Sequence, residues 1–200
     1  MFDRVMRVIK LDKTVYAEVE ADQTATSQAA TVVAIVAVIS AIGGGIGALV
    51  SYGDQGFVGV IGAFLIALLS SFIGWLVWSA VTYFVGTSLF GGEADLGEML
   101  RVIGFAQAPQ LLSFFSFIPC VGALISLAGA LLSLYTGFLA IQEGLDLDTG
   151  KTIATIVLGW IAALVVNLII GAILGTIFGI GMAGVGFLGT LFNQGGWLFF

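Results

Sequence analysis

The chain of 200 residues contains no histidine, one cysteine and two prolines, and only 9% of its residues are charged. The absence of histidine removes the commonest metal ligand and the side chain that most often carries protons near neutral pH. The single cysteine, Cys120, excludes an internal disulfide. Because the sequence also lacks a buried carboxylate pair and a nucleophile beside a base, we predict no enzyme activity, no cofactor and no metal.

Long apolar runs are what the chain has instead. Hydrophobic residues make up 60% of the sequence. Residues 29–92 carry a single charge, at Asp54, while residues 102–142 and 152–200 carry none. About 20 consecutive apolar residues are enough to cross the roughly 30 Å hydrocarbon layer of a bilayer. The three runs are therefore long enough for several transmembrane helices.

Polar residues and a proline divide the first two runs. The polar turn at residues 51–56 splits the first run in two. Pro119 splits the second, because proline lacks a backbone donor and disfavours helix in the residue before it. We therefore predict an all-α membrane protein with five transmembrane helices. Their approximate positions are residues 30–50, 57–85, 99–118, 120–142 and 152–176.

The basic residues predict the orientation of these helices. Four precede the first predicted span, one opens the third and one opens the fifth: Arg4, Arg7, Lys10, Lys13, Arg101 and Lys151. Because Lys and Arg are enriched in cytoplasmic loops, we expect a cytoplasmic N-terminus and an outside C-terminus, with the loops around Asp54 and Pro119 also outside. The predicted domains are a cytoplasmic segment at 1–28, a membrane domain at 29–181 and a tail at 182–200.

The N-terminal segment has the pattern of a short amphipathic helix. Its basic residues fall on other faces than its apolar residues, which recur at helical spacing: Phe2, Val5, Met6 and Ile9. A second short helix is predicted through residues 15–19. One interpretation is contact with anionic lipid or a cytoplasmic protein, made by Arg4, Arg7, Lys10 and Lys13. The alternative is an ordinary juxtamembrane segment that obeys the positive-inside rule.

Glycine is abundant, with 29 residues. Small residues four positions apart let transmembrane helices approach closely, which matters in lipid because the hydrophobic effect does not drive helices together there. This spacing predicts helix-packing faces at Gly43, Gly47, Gly171, Gly175 and Gly179. Spacing alone leaves open whether these faces meet within one chain or between chains.

The predicted spans contain few polar side chains. Asn167 lies near the middle of the fifth span, and Gln107 and Gln110 flank Pro109 in the third. An amide in hydrocarbon needs a partner, so Asn167 is interpreted as an interhelical hydrogen-bonding residue, with substrate contact as the alternative. The two glutamines are expected to satisfy the carbonyl that Pro109 leaves free. Transporters usually carry ionisable residues at such depth, and none is present.

Two helix starts can be read from local capping patterns. Asp95 and Glu98 form an N-terminal capping arrangement ahead of the third predicted span. Asp148 or Thr149 is expected to cap the fifth span, with Lys151 at the membrane interface.

Three stretches resemble the Yip family, the Ypt-interacting proteins, in its prokaryotic form. Residues 145–154, LDLDTGKTIA, are similar to the loop before that family's last span, and residues 101–109, RVIGFAQAP, to its third span. The N-terminal segment is also similar to that of the family, through Leu11, Asp12, Val15, Glu18 and Asp22. The resemblance covers most of residues 4–175. It implies five spans with a cytoplasmic N-terminus.

The resemblance carries less information about partners. Eukaryotic relatives bind Rab-type GTPases and carry a longer cytoplasmic region with a D-L-Y-G-P motif, which this chain lacks. GTPase binding is therefore not expected. The tail lies beyond the resemblance. Its aromatic residues suit an interfacial belt or a groove on a neighbouring protein: Trp197, Phe199 and Phe200.

Three functions remain open at this point. The first is a non-catalytic membrane scaffold of the Yip type, which contacts partner proteins through its N-terminal segment and loops. The second is a small accessory subunit of a larger membrane assembly, such as an energy-converting complex. The third is a channel or small-solute transporter. The expected partners are the lipid bilayer and other membrane proteins, in a homo-oligomer or a larger complex, without nucleic acid. The expected location is a prokaryotic cytoplasmic membrane.

Overall fold

The computed structural model describes residues 1–52, 57–118 and 120–177, and this part of the chain is helical and contains no strand. The all-helical prediction is confirmed. The helices are α1 (Phe2–Ile9), α2 (Thr14–Ala21), α3 (Ala25–Tyr52), α4 (Phe57–Phe90), α5 (Leu96–Ala106), a 3₁₀ helix (Ala108–Phe117), α6 (Val121–Gly144) and α7 (Thr149–Ile177).

Among the described residues, four helices are long and apolar enough to cross a membrane. The segments are Ala25–Gly43 of α3, Leu68–Phe90 of α4, Val121–Gly144 in α6 and Thr149–Val166 of α7. They match the first, second, fourth and fifth predicted spans. The helices that contain these segments run past the predicted ends. The longest, α4, has 34 residues and is therefore about 51 Å long at roughly 1.5 Å per residue. This length exceeds the thickness of the hydrocarbon layer.

The third predicted span is not one continuous helix. The α-helix ends at Ala106, and the chain continues as a 3₁₀ helix in which Pro109 occupies the first turn. Proline removes a backbone donor, and its ring collides with the preceding turn of an α-helix. The same ring disfavours the α conformation in the preceding residue. Pro109 therefore accounts for the change of helix type.

The two parts of this broken helix lie along both of their neighbours. Gly104 in α5 packs against Ala29 near the start of α3, and further along the Ser113 hydroxyl lies 2.6 Å from the Ser40 hydroxyl. On the other side, Gly129 and then Gly122 of α6 approach successive turns of the 3₁₀ helix. The broken helix thus runs parallel to α3 and antiparallel to α6.

The predicted helix caps are present. The Asp95 carboxylate accepts a hydrogen bond from the Glu98 backbone at 2.8 Å, and the Glu98 carboxylate accepts one from the Asp95 backbone at 2.6 Å. This reciprocal capping box starts α5. At the start of α7, the Asp148 carboxylate accepts a 3.0 Å hydrogen bond from the Lys151 backbone. Asp148, rather than Thr149, therefore supplies the capping side chain.

Burial is concentrated at the end of the bundle where α1 and α2 lie. The largest fully buried side chains there belong to four helices: Tyr16, Val33, Phe105 and Ile141. Away from this end, large apolar side chains of α4, α6 and α7 point outward, including Leu69, Leu124, Leu131, Ile161 and Ile169. An apolar surface of this extent is typical of helices that face lipid.

Candidate interaction site at the charged end of the bundle

Apart from Asp54, every charged residue of the chain lies in one of three segments, residues 3–22, 93–101 and 143–151. Asp54 itself is outside the described residues. The fold brings the three segments together at one end of the bundle. The Lys13 ammonium lies 3.7 Å from the Glu143 carboxylate, and the Glu93 backbone donates a 3.1 Å hydrogen bond to the Leu145 carbonyl. We call these three segments the charged end.

The first part of the charged end is a hairpin of α1 and α2, held by ion pairs. Arg4 bonds Glu18 at 2.9 Å and Asp22 at 2.8 Å. Arg7 bonds Asp12 at 2.9 Å and Glu18 at 2.5 Å. Both guanidinium groups are thus engaged by carboxylates of the same chain. Sequence reasoning suggested these two arginines for partner contact, and the structure places both in ion pairs of the hairpin.

The hydrogen bonds of the hairpin lower the pKa values of Asp12 and Glu18. The pKa of Asp12 falls to about 2, chiefly because its carboxylate accepts a hydrogen bond from the Thr14 hydroxyl and then because Arg7 lies beside it. The pKa of Glu18 is lowered by Arg7 and then by Arg4. These groups therefore carry their full negative charge at neutral pH and offset the charges of the two arginines.

Apolar residues fix the hairpin to the bundle. Both helices of the hairpin pack against α5 and α6. The side chains that are completely or almost completely buried there are Val8 of α1 and Val15, Tyr16 and Val19 of α2. The hydroxyl of Tyr16 lies close to that of Thr136, and burial raises the pKa of Tyr16 above its usual value. The hairpin is therefore part of the hydrophobic core.

Arg101 makes a polar contact between the bundle and the end of the hairpin. Its side chain is 6% exposed and lies in α5. It donates hydrogen bonds to the Val19 carbonyl at 3.2 Å and to the Glu20 carbonyl at 3.1 and 2.5 Å. These carbonyls end α2, where the backbone groups lack partners within the helix. Sequence reasoning used Arg101 only as the basic residue that opens the third predicted span, since no local pattern shows that its side chain reaches α2.

A group of carboxylates surrounds the same contact. Burial raises the pKa of Glu20, and the negative charges of Glu98, Asp146 and Glu143 raise it further, while Arg101 acts in the opposite direction. Within the ranges that the structure describes, no three Asp, Glu, Cys or His residues are arranged to hold a metal ion.

One of the predicted packing glycines lies at a close helix contact. A Cβ atom added to Gly43 would lie 2.6 Å from the Phe114 carbonyl oxygen, so α3 and the 3₁₀ helix could not approach as they do. The structure does not describe the surroundings of Gly47, Gly171 and Gly175. Gly179 lies outside the described residues. Close approaches that spacing did not reveal occur at Gly104, Gly122 and Gly144.

The other predicted site residues are distributed widely. Gln107 is buried at the junction of α5 and the 3₁₀ helix, and its carbonyl accepts a 2.9 Å hydrogen bond from the Gln110 backbone. Lys10 is exposed at the end of α1. The side chain of Asn167 and the tail residues Trp197, Phe199 and Phe200 lie outside the description. Gln107 and Lys10, which the structure describes, lie at the ends of different helices.

Comparison with known proteins identifies the family. The family model for the Yip1 domain matches residues 13–171, which is most of the chain. No curated protein and no solved structure matches the chain. The matched region includes the apolar segments that are long enough to span a membrane, the helix α2 and the charged segments 93–101 and 143–151, and it begins after α1. The match confirms the resemblance seen in the sequence: this chain is an integral membrane protein and belongs to the Yip1 domain family.

Proposed function

We propose that this protein is a non-catalytic membrane scaffold that recruits partner proteins through its charged end. The observation that carries the proposal is the separation of charge in the fold. Three segments that are distant in sequence form one folded polar surface, while the described parts of the spans carry charge only at that end. Transport and catalysis inside a membrane usually depend on ionisable residues at depth, so this distribution favours binding.

The proposed topology has five membrane crossings. The third is made by α5 and the 3₁₀ helix together. Their course beside α3 and α6, from Gly104 opposite Ala29 to Ser113 opposite Ser40, supports this assignment. With five crossings the two chain ends lie on opposite sides. The positive-inside rule then places the charged end in the cytoplasm. The resemblance to prokaryotic family members supports a bacterial-type cytoplasmic membrane.

The surface offered to a partner consists of the exposed residues around the hairpin and the α6–α7 loop. Lys10, Asp148, Thr149 and Lys151 are exposed there. Lys10 and Lys151 form no ion pair within the described structure. Charged and mobile side chains of this kind set partner choice and association rate, because they can pair with complementary charges.

The test is the native mass and protein composition of the tagged chain, extracted in a mild detergent from its own membrane. We expect partner proteins at a fixed ratio to the wild-type chain. The double charge reversal Lys10→Glu with Lys151→Glu should release them. The matched control is Leu124→Ala, at an exposed position on α6 away from the charged end, and it should retain them.

Three results would contradict the scaffold proposal. One is a chain that purifies without any partner. Another is a partner that survives the charge reversal but is lost with Leu124→Ala, because apolar helix faces would then hold the chain as an accessory subunit. The third is solute flux through liposomes that contain the purified chain, which would indicate a channel or transporter.

A further inference from the structure

An apolar stripe on α1 has no partner within the described chain. Phe2 is 76% exposed, and Met6 and Ile9 are each 37% exposed. At about 100° per residue, these three positions fall within one narrow sector of the helix. Large apolar side chains at such spacing on an otherwise packed helix are unusual for a surface that faces only water.

The other sides of α1 are already occupied. Val5 and Val8 pack on the hydrophobic core. Arg4 and Arg7 turn toward the carboxylates of α2. By helical spacing, the two arginines lie roughly opposite the apolar stripe. The helix therefore has a polar side facing α2, an apolar side facing the bundle, and a free apolar stripe across from the arginines.

The position of α1 relative to the first span indicates what covers this stripe. The Arg4 guanidinium pairs with Asp22 at 2.8 Å and donates to the Gln28 amide oxygen at 3.3 Å. These two residues bracket the start of the first apolar span, at Ala25. A helix tied to that point lies at the boundary between water and hydrocarbon. Amphipathic helices at this boundary bury their apolar face in the lipid headgroup region.

The charges of the hairpin indicate which kind of lipid surface fits. Basic amphipathic helices bind anionic lipids through free Lys and Arg side chains. Here both arginines are paired with carboxylates of the same chain, and Lys13 lies 3.7 Å from Glu143. The residues 1–24 contain five acidic and four basic side chains, so the hairpin has no excess positive charge.

We propose that the Phe2, Met6 and Ile9 stripe of α1 is a hydrophobic interfacial anchor that binds the bilayer without requiring anionic lipid. The anchor would hold the charged end against the membrane surface and fix the orientation of the hairpin. This inference concerns lipid contact and does not depend on the recruitment of partner proteins.

The experiment uses the full chain in lipid nanodiscs, with a fluorescent label on a single cysteine. Cys120→Ser removes the native cysteine, which is exposed. The label is then placed at Met6→Cys or Ile9→Cys on the stripe. The matched control is Ala17→Cys, an exposed position on α2. Iodide measures access from water, and nitroxide lipids labelled near the headgroup measure contact with the bilayer.

We expect the labels at positions 6 and 9 to be several-fold less quenched by iodide than the label at position 17, and more quenched by the nitroxide lipids. The same difference should appear in phosphatidylcholine alone, in mixtures with phosphatidylglycerol, and at high salt, which screens charge. A second variant, Phe2→Ser with Met6→Ser and Ile9→Ser, should remain folded, since all three side chains are exposed. For the label at Met6→Cys, the matching variant carries only Phe2→Ser and Ile9→Ser, and there the label should become accessible to iodide.

Three outcomes would overturn the proposal. Equal iodide access at positions 6 and 17 would show that the stripe faces water. Shielding that needs phosphatidylglycerol or disappears at high salt would show that charge drives the contact. Shielding from iodide without quenching by nitroxide lipids, together with a dimeric mass, would show that a second copy of the chain covers the stripe.

Discussion

The guanidinium of Arg101 donates a 2.5 Å hydrogen bond to the backbone carbonyl of Glu20, across 81 positions of the chain. This bond, a second bond to the Glu20 carbonyl and one bond to the Val19 carbonyl close the end of α2 against α5. Arginine suits the position because its planar fork presents several donors in a fixed geometry. The contact adds a polar tie between the hairpin and α5 to the apolar contacts of Val15, Tyr16 and Val19.

Loss of this side chain should release the hairpin. We expect Arg101→Leu to lower the free energy of unfolding by about 2 kcal/mol, because two buried carbonyls lose hydrogen bonds from a charged donor. Arg101→Lys should have an intermediate effect, since a lysine keeps the charge but not the fork. Hydrogen exchange of the α2 amides in detergent checks this. Unchanged protection of α2 in Arg101→Leu would show that the apolar contacts suffice.

Gly104 should tolerate no side chain. A Cβ atom there would lie 2.8 Å from the Ala29 Cβ and 3.2 Å from the Trp75 ring nitrogen. Gly104→Ala should therefore destabilise the protein by about 1–3 kcal/mol through overpacking. The control is Gly159→Ala, whose Cβ would meet Trp78 only at 3.4 Å, an ordinary contact. Thermal unfolding compares the two, and equal midpoints would refute the close contact between α3 and α5.

Removal of the Glu20 charge should stabilise the protein at neutral pH. The pKa of Glu20 is raised by burial and by the neighbouring carboxylates. Ionised Glu20 therefore opposes folding, and this cost grows as the pH rises from the ordinary glutamate pKa of 4.5 toward the raised value. Glu20→Gln should raise the unfolding midpoint at pH 8 and have no such effect below pH 4.5. The exposed Glu93→Gln serves as the control and should change little.

Ionised Asp12 should stabilise the folded protein, whereas ionised Glu20 opposes folding. The pKa of Asp12 is lowered from 3.8 to about 2 in the folded protein. The stabilisation by ionised Asp12 is therefore complete above the ordinary pKa of 3.8, which holds in the unfolded chain, and is lost as the pH falls through about 2. In Asp12→Asn, the unfolding midpoint should therefore fall less than in the wild type as the pH is lowered from 3.8 to about 2. Asp3→Asn, at an exposed position without an ion pair in the described structure, should leave the fall unchanged.

The five-span topology can be tested with an impermeant thiol reagent. In a Cys120→Ser background, Gln55→Cys should be labelled in intact cells, because the loop between α3 and α4 is expected outside. Thr149→Cys, at an exposed position of the charged end, should be labelled only after the membrane is opened. Labelling of both positions in intact cells would contradict the proposed number of crossings.

Much of the helical framework was predictable because its causes are local. The apolar runs predicted α3, α4, α6 and α7, since the hydrocarbon thickness sets the length of a spanning helix. The capping box of Asp95 and Glu98 was predictable because both partners lie within one turn. The helix ends were less predictable, and α4, for example, continues to Phe90, past the predicted end at residue 85.

The candidate site was predictable only in part. The sequence showed that the charges fall in three segments and that the N-terminal segment is amphipathic. It did not show that Arg4 and Arg7 pair with α2 while Phe2, Met6 and Ile9 stay exposed. Which face of α1 is covered depends on where α2 lies, and the spacing of residues along α1 does not specify that position.

The sequence by itself determined the class of protein, the positions of its apolar helices and the segments that carry charge, because hydropathy, charge and capping act over one or two helical turns. Only the tertiary structure decided that Arg101 closes the end of α2, that Gly104 lies against Ala29, and that the hairpin joins the core. Each of these contacts joins residues far apart in the chain. Their geometry is fixed by how whole helices pack, and no local pattern encodes it.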